Sequence, residues 1–273
     1  MTRIPADDTQ MTADHSTALR AYLRKSAKKS AKIRVPSGFV ITIDGPAGVG
    51  KSTVAKRLAK RLDLTYLDTG ATYRALAYAA VKADLNPITD VKQLTGLARE
   101  LPLQLRPAPK GGVRVLLNGA DVTNEIRTEE VSEAAAQVSQ HPDVRAAMVA
   151  LQRRLANPAW RDQPANRHGV VVEGRDTGSV VFPRATHKFF LDADPSIRAR
   201  RRQRELLRLY GARSPIAQVQ EQLHFRDRLD QTRRVGPLVK PTGAVAINTS
   251  HVTAAEVVRI MLRHIGKGSP ESM

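Results

Sequence analysis

The sequence predicts an α/β fold with a parallel core sheet flanked by helices, and three observations carry that prediction. Phe39-Val40-Ile41-Thr42-Ile43 and Gly169-Val170-Val171-Val172 are β-branched apolar runs, the composition of strands buried on both faces. Thr53 to Leu62 places Val54, Ala55, Leu58 and Leu62 at helical spacing between Lys and Arg. Between the first run and this helix lie Gly45, Pro46, Ala47, Gly48, Val49, Gly50, Lys51, Ser52 and Thr53, which fit the P-loop pattern G-x-x-x-x-G-K-[ST]. Glycines let the backbone wrap a phosphate closely, and the N–H groups at the helix start point at it. Lys51 would reach the β- and γ-phosphates of a nucleoside triphosphate, and the Ser52 hydroxyl would ligate Mg²⁺. An ordinary glycine turn would not need every fixed position filled.

The rest of the chain falls into order around this loop. Residues 1–36 carry eight Lys/Arg against three Asp and too few apolar positions for a firm helix face. They read as a disordered basic extension without the apolar centre of a secretory signal. Val35-Pro36-Ser37-Gly38 then punctuates entry into the first core strand. After the P-loop helix comes the short strand Leu64–Leu67, followed by a helix that Asp68 or Thr69 can cap. Tyr73 and Arg74 lie one turn inside it. A short helix around 91–99 precedes the alternating run 101–106, a turn at 107–112 and a second strand-like run at 113–119, together a hairpin in an otherwise βα-alternating chain. Residues 131–138 and 144–155 read as helices, with Pro142 at the start of the second. Asn157 to His168 is a loop holding the single tryptophan.

The strand at 169–172 ends in Glu173-Gly174-Arg175-Asp176. An acid at the end of an apolar strand is where a P-loop fold keeps its second Mg²⁺-handling carboxylate, so Glu173 is a metal candidate beside Ser52. Another short strand spans 186–192. The run Arg198-Ala199-Arg200-Arg201-Arg202-Gln203-Arg204 suits a mobile lid whose guanidiniums close over phosphates, Arg201 among them, although a solvated helix face or a nucleic-acid contact is also consistent with it. A second basic helix at 217–234 places Arg226, Asp230 and Arg233 on one face. A strand at 244–247 and a helix at 253–265 complete the core, with a loose tail at 267–273.

Composition bounds the function. The formal charge of +18 extends beyond the first 36 residues, as suits a protein handling phosphorylated ligands. With no cysteine there are no disulfides and no thiolate metal site, which agrees with a cytoplasmic setting. No segment has the length and apolarity of a membrane span. Aromatics at 4% leave no strip for stacking bases, which weighs against a nucleic-acid-binding ATPase. Nothing marks an oligomer interface, so a monomer is expected.

Six stretches together resemble the bacterial cytidylate kinases: ITIDGPAGVGKST (41–53), LDTGATYR (67–74), DVTNEIRTEEVSEAAAQVSQHPDVR (121–145), VVEGRDTGSVVFP (171–183), FLDADPSIRARRR (190–202) and RDRLDQTRRVGPL (226–238). They follow the family's order across residues 38–266. The resemblance implies a nucleoside-monophosphate-kinase fold over 37–266, with a monophosphate-binding region at about 68–157 that includes the hairpin at about 100–120, and an arginine-rich lid at about 197–212. It implies transfer of the γ-phosphoryl of ATP to CMP or dCMP with Mg²⁺, without nucleic-acid or membrane partners. By position it assigns Thr69 and Arg74 to the monophosphate ligand, Arg145 and Asp176 to the cytosine edge, and Arg175 to phosphate. It assigns Arg226 and Arg233 to the phosphates, and Asp230 to the sugar hydroxyl. Lys51, Arg175, Arg226 and Arg233 would carry the transfer.

Chemistry agrees with this set. A phosphate acceptor is already nucleophilic, so alignment and charge neutralisation do the work and no added base is required. An Asp accepting from the cytosine amine beside an Arg donating to its acceptors would reject uracil. Two departures stand out: Ala136 occupies a position where the family is expected to carry a base-touching serine, and Glu173 stands where Asp is commoner. The first leaves room for a kinase that also accepts UMP.

Overall fold

The computed structural model describes residues 39–108, 112–157, 169–211 and 214–267. The expectations for residues 1–36, for the tryptophan loop and for the tail beyond 267 lie outside these residues. The core sheet contains β1 (Phe39–Asp44), β2 (Thr65–Asp68), β6 (Gly169–Glu173), β7 (His187–Asp192) and β8 (Val245–Asn248). Its order is β2-β6-β1-β7-β8, and every pairing is parallel. Parallel strands need crossovers: α1 (Lys51–Leu62) lies between β1 and β2, α6 (Pro195–Tyr210) and α7 (Ile216–Thr232) lie between β7 and β8, and α8 (Ala254–Lys267) follows the last strand. α1 and α8 cover one face, where Leu58, Leu62, Met261 and Ile265 share a fully buried cluster with Ile41, Ile43 and Phe189. No helix among the described residues is long and apolar enough to cross a membrane.

Register sets up the chemistry. Ile43 and Asp68 both lie opposite Glu173, so Asp44, Glu173 and Asp68 end three adjacent strands at the carboxyl edge of the sheet. Open parallel sheets bind their ligands at that edge.

Between β2 and β6 the chain builds a second core from α2 (Thr69–Lys82), α3 (Val91–Glu100), α4 (Glu129–Val138) and α5 (Pro142–Ala156). Leu76, Leu94, Ile126, Val138 and Met148 are buried there against the strands β3 (Leu103–Pro107) and β4 (Val113–Leu117). The hairpin proves to be a three-stranded sheet. Asn118 (φ 49°) and Gly119 (φ 80°) turn the chain into β5 (Ala120–Asp121), which pairs with Leu116 and Leu117. A strand of two residues has no alternation to read, but Asn-Gly is the sequence signal of such a turn.

Two further differences concern the site. After Asp176 the chain makes one π-helical turn, Thr177–Val181, where an extended exit from β6 would be the simple reading. α7 ends at Thr232, so Arg233 is its C-cap residue in extended backbone rather than part of the helical face. Gly236 (φ 62°) and Pro237 cannot extend the helix, and the Leu238 N–H closes it by donating to the Asp230 carbonyl at 2.7 Å.

Candidate active site

The loop from β1 to α1 crosses β7 so closely that a Cβ on Gly45 would stand 2.1 Å from the Leu191 carbonyl oxygen. α1 begins at Lys51 behind Gly50, with no side-chain cap and no acidic residue in its first turn. Its leading N–H groups are therefore left for an anion. The Lys51 ammonium is buried and donates to the Pro46 carbonyl at 2.6 Å. Burial, then the Arg175 guanidinium, pushes its pKa well below the usual lysine range, against the opposing pull of Glu173. Arg226 and Asp230 act on the same ammonium, so residues from the loop, the end of β6 and α7 converge on one point.

Glu173 is buried, and Tyr66 donates its hydroxyl proton to the carboxylate. Burial and then the neighbouring Asp68 raise its pKa, while Lys51 and hydrogen bonds from Tyr66 and Ser52 oppose the rise. Asp68 caps α2 by accepting the Ala71 N–H at 2.9 Å, and it pairs with Arg74 at 3.0 Å. Burial works against its ionisation, but Arg74, the Ala71 N–H and Lys56 prevail and lower its pKa. The Thr69 hydroxyl is turned inward and donates to the Glu173 carbonyl at 2.7 Å.

Beyond these acids runs a chain of alternating charges. Arg145, 1% exposed, pairs with Asp176, donates to the Ser139 carbonyl at 3.2 Å and lies 5.6 Å over the Tyr73 ring. Arg233 stands 3.6 Å from the other Asp176 oxygen and 3.1 Å from Asp230. Arg175 donates to the second Asp230 oxygen at 2.8 Å. Burial opposes the charge on Asp230, yet Arg175, Arg226 and Arg233 hold its carboxyl below the usual range. Burial and then Arg175 bring Arg226 down to about 10.

Arg201 stands apart from this chain. It donates to the Thr249 hydroxyl at 2.9 Å and lies 3.5 Å from the Val49 carbonyl, at the back of the P-loop. Around Ala136, both neighbouring serines are engaged. Ser139 donates its hydroxyl to the Ala136 carbonyl at 2.8 Å, and Ser132 donates to the Thr128 carbonyl at 2.8 Å.

Sequence reading missed Asp44. Fully buried at the end of β1, it accepts the Thr177 N–H and hydroxyl, each at 2.8 Å, and the Gly178 N–H at 2.7 Å. It thereby ties the turn after Asp176 to the start of the P-loop. Burial raises its pKa against these three hydrogen bonds. The available signal was the one that flagged Glu173: a carboxylate closing an apolar strand.

Residues 41–267 match the family model described as cytidylate kinase. A protein named cytidylate kinase from Geobacillus kaustophilus is 47% identical over 222 residues, covering 81% of this chain and 94% of that protein. Another of that name from Pelotomaculum thermopropionicum is 42% identical over 234 residues, covering 85% and 97% respectively. A third, from Symbiobacterium thermophilum, is 43% identical over 226 residues, covering 83% and 95%.

Proposed function

The chain belongs to the cytidylate kinase family, and on that premise we infer that it transfers the γ-phosphoryl group of ATP to CMP and dCMP, giving ADP and the diphosphate. The supporting observation is electrostatic: the charges of Arg175, Glu173, Arg226 and Asp230 all act on the buried P-loop ammonium of Lys51. The α1 N-terminus and Lys51 hold the donor phosphates. Arg74, Arg175, Arg226 and Arg233 draw in the acceptor phosphate and spread the charge that builds up in transfer. Arg145 and Asp176 present a donor and an acceptor to the cytosine edge, and Asp230 accepts from a sugar hydroxyl. Water, the competing acceptor, is excluded when the far end of α6, beyond the part that rests on the P-loop, closes over the phosphates.

The oxygen donors fit Mg²⁺. The Ser52 hydroxyl favours the ionised Glu173 carboxylate, whose pKa burial and then the charge of Asp68 raise, and a divalent cation would relieve both. Ser52 and Glu173 would hold the ion, which would supply neutralisation of the phosphate charge.

A coupled ADP-release assay with ATP, Mg²⁺ and each of CMP, dCMP, UMP, AMP and GMP tests this reading. Rapid turnover with CMP and dCMP alone is expected. Equal use of UMP would show that Ala136 relaxes the base pocket, and inactivity with all five would overturn the assignment.

The depressed Lys51 pKa gives a pH dependence. Phosphate beside the ammonium stabilises its charge and raises the pKa, so ATP binding takes up a proton once pH exceeds the value in the ligand-free protein. ATP affinity is accordingly full at lower pH and falls as pH rises through that value. Calorimetric titration in buffers of different ionisation enthalpy should reveal this uptake on the alkaline side, and Lys51→Arg should abolish it.

A further inference from the structure

Ala47, third residue of the P-loop, is gripped through all its interacting groups by the pair α6–α7. Its N–H donates to Asp227 Oδ1 at 3.3 Å, and its carbonyl accepts from Arg198 Nη1 at 3.2 Å. The same Nη1 pairs with the second Asp227 oxygen, and both side chains are buried. The Ala47 methyl group packs in a cluster with Ala199 and Leu206 of α6 and Val219 and Leu223 of α7. The contact extends one residue further: a Cβ on Gly48 would fall 2.9 Å from the Arg198 carbonyl oxygen, so the backbone of α6 rests on the loop.

An ion pair for stability alone would not need to engage both backbone polar groups of one residue. Taking charges out of water costs nearly as much as their attraction returns, so a buried pair is weak evidence of stabilisation. What the arrangement does fix is orientation. With donor and acceptor both bound, the Ala47 residue cannot rotate, and the N–H groups that follow it keep their direction.

We propose that Arg198 and Asp227 are positioning residues for the ATP side of the reaction, holding the phosphate loop in its binding shape by clamping Ala47 to α6 and α7. The proposal rests on the reading of this loop as the ATP site. It predicts a split between the two substrates, because the clamp hydrogen-bonds the donor loop and none of the side chains assigned to CMP; Asp227 reaches that side only through its charge on Arg175, so Arg198→Lys is the cleaner variant.

Calorimetric titration of the full chain with ATP and, separately, with CMP tests it. Arg198→Lys keeps the charge but its shorter stem draws back the nitrogen that bridges Ala47 and Asp227, and Asp227→Asn keeps an acceptor for Ala47 but loses the ion pair. Each should weaken ATP about tenfold and raise the KM for ATP alike, leaving CMP within about twofold. The exchanged double variant Arg198→Asp/Asp227→Arg supplies the second reading. It restores opposite charges but sets a carboxylate against the Ala47 carbonyl and a guanidinium against its N–H. Recovery of Tm without recovery of ATP affinity is expected. Should the exchanged variant fail to fold, the Arg198→Lys split decides. Wild-type ATP affinity in both single variants, equal loss of ATP and CMP, or full ATP recovery in the exchanged variant would overturn the clamp. Failure of the unaltered chain to bind ATP would instead overturn the functional reading, and this proposal with it.

Discussion

Replacing Lys51 with alanine should lower kcat/KM for ATP by roughly 10³-fold, in the range seen when one preorganised donor to a developing charge is removed. Tm should stay level or rise. The ammonium is held where burial and Arg175 both disfavour its charge, an arrangement that costs stability until a phosphate arrives. Among the described residues its one hydrogen bond is to the Pro46 carbonyl, so little hydrogen bonding is lost with it. Steady-state kinetics with thermal unfolding separates the outcomes. A variant of undiminished turnover would remove Lys51 from the reaction, and a large fall in Tm would mean that the side chain is part of the core.

The second large effect is expected at Asp176. Alanine there should reduce kcat/KM for CMP by about 10²–10³-fold, since a site built to hydrogen-bond a polar group is left with that group unpaired. ATP affinity should change far less, as the P-loop lies elsewhere on the sheet edge. Alanine also strips the buried Arg145 of its partner, a change that costs about 3–5 kcal/mol in comparable pairs, so thermal unfolding must accompany the kinetics. Asp176→Asn separates the two effects. It keeps the shape, and its amide can donate to a carbonyl where the carboxylate cannot. The ratio of UMP to CMP use should rise accordingly. Equal losses with ATP and CMP would count against a base-reading role.

The sequence made the frame of the molecule legible because its signals are local. The apolar runs of β1 and β6 and the glycine loop between β1 and α1 each carry their meaning within a dozen residues. So do Asp68 as a cap and Pro142 at the start of α5. What stayed hidden depends on distance in the chain. Asp44 finds its three donors over 130 residues away, and Ala47 meets Arg198 and Asp227 across 151 and 180 residues. No spacing rule reaches that far. Arg233 shows the opposite case: helical offsets grouped it rightly with Asp230, and the ion pair exists, but the helix ends one residue earlier and the side chain arrives from its cap. The arginine run at 198–204 looked uniform in sequence and is divided in space. Arg198 is buried under the P-loop, Arg201 is committed to Thr249, and Arg200 and Arg204 are exposed.

Arg145, Asp176, Arg233, Asp230 and Arg175 are strung together so that each acid already holds a base on either side. Recognition at such a string is barter. A nucleotide gains a guanidinium only by taking it from a carboxylate, and that carboxylate must then be offered something in return. On the proposed assignments, a bare phosphate that draws off both Arg175 and Arg233 would leave Asp230 with Arg226 alone, and a bare nucleobase would engage Asp176 and Arg145 while Arg233 kept only Asp230. On that proposed reading, a molecule carrying phosphate, sugar hydroxyl and base together would settle every exchange at once. Discrimination against fragments would then follow from the resting pairings themselves.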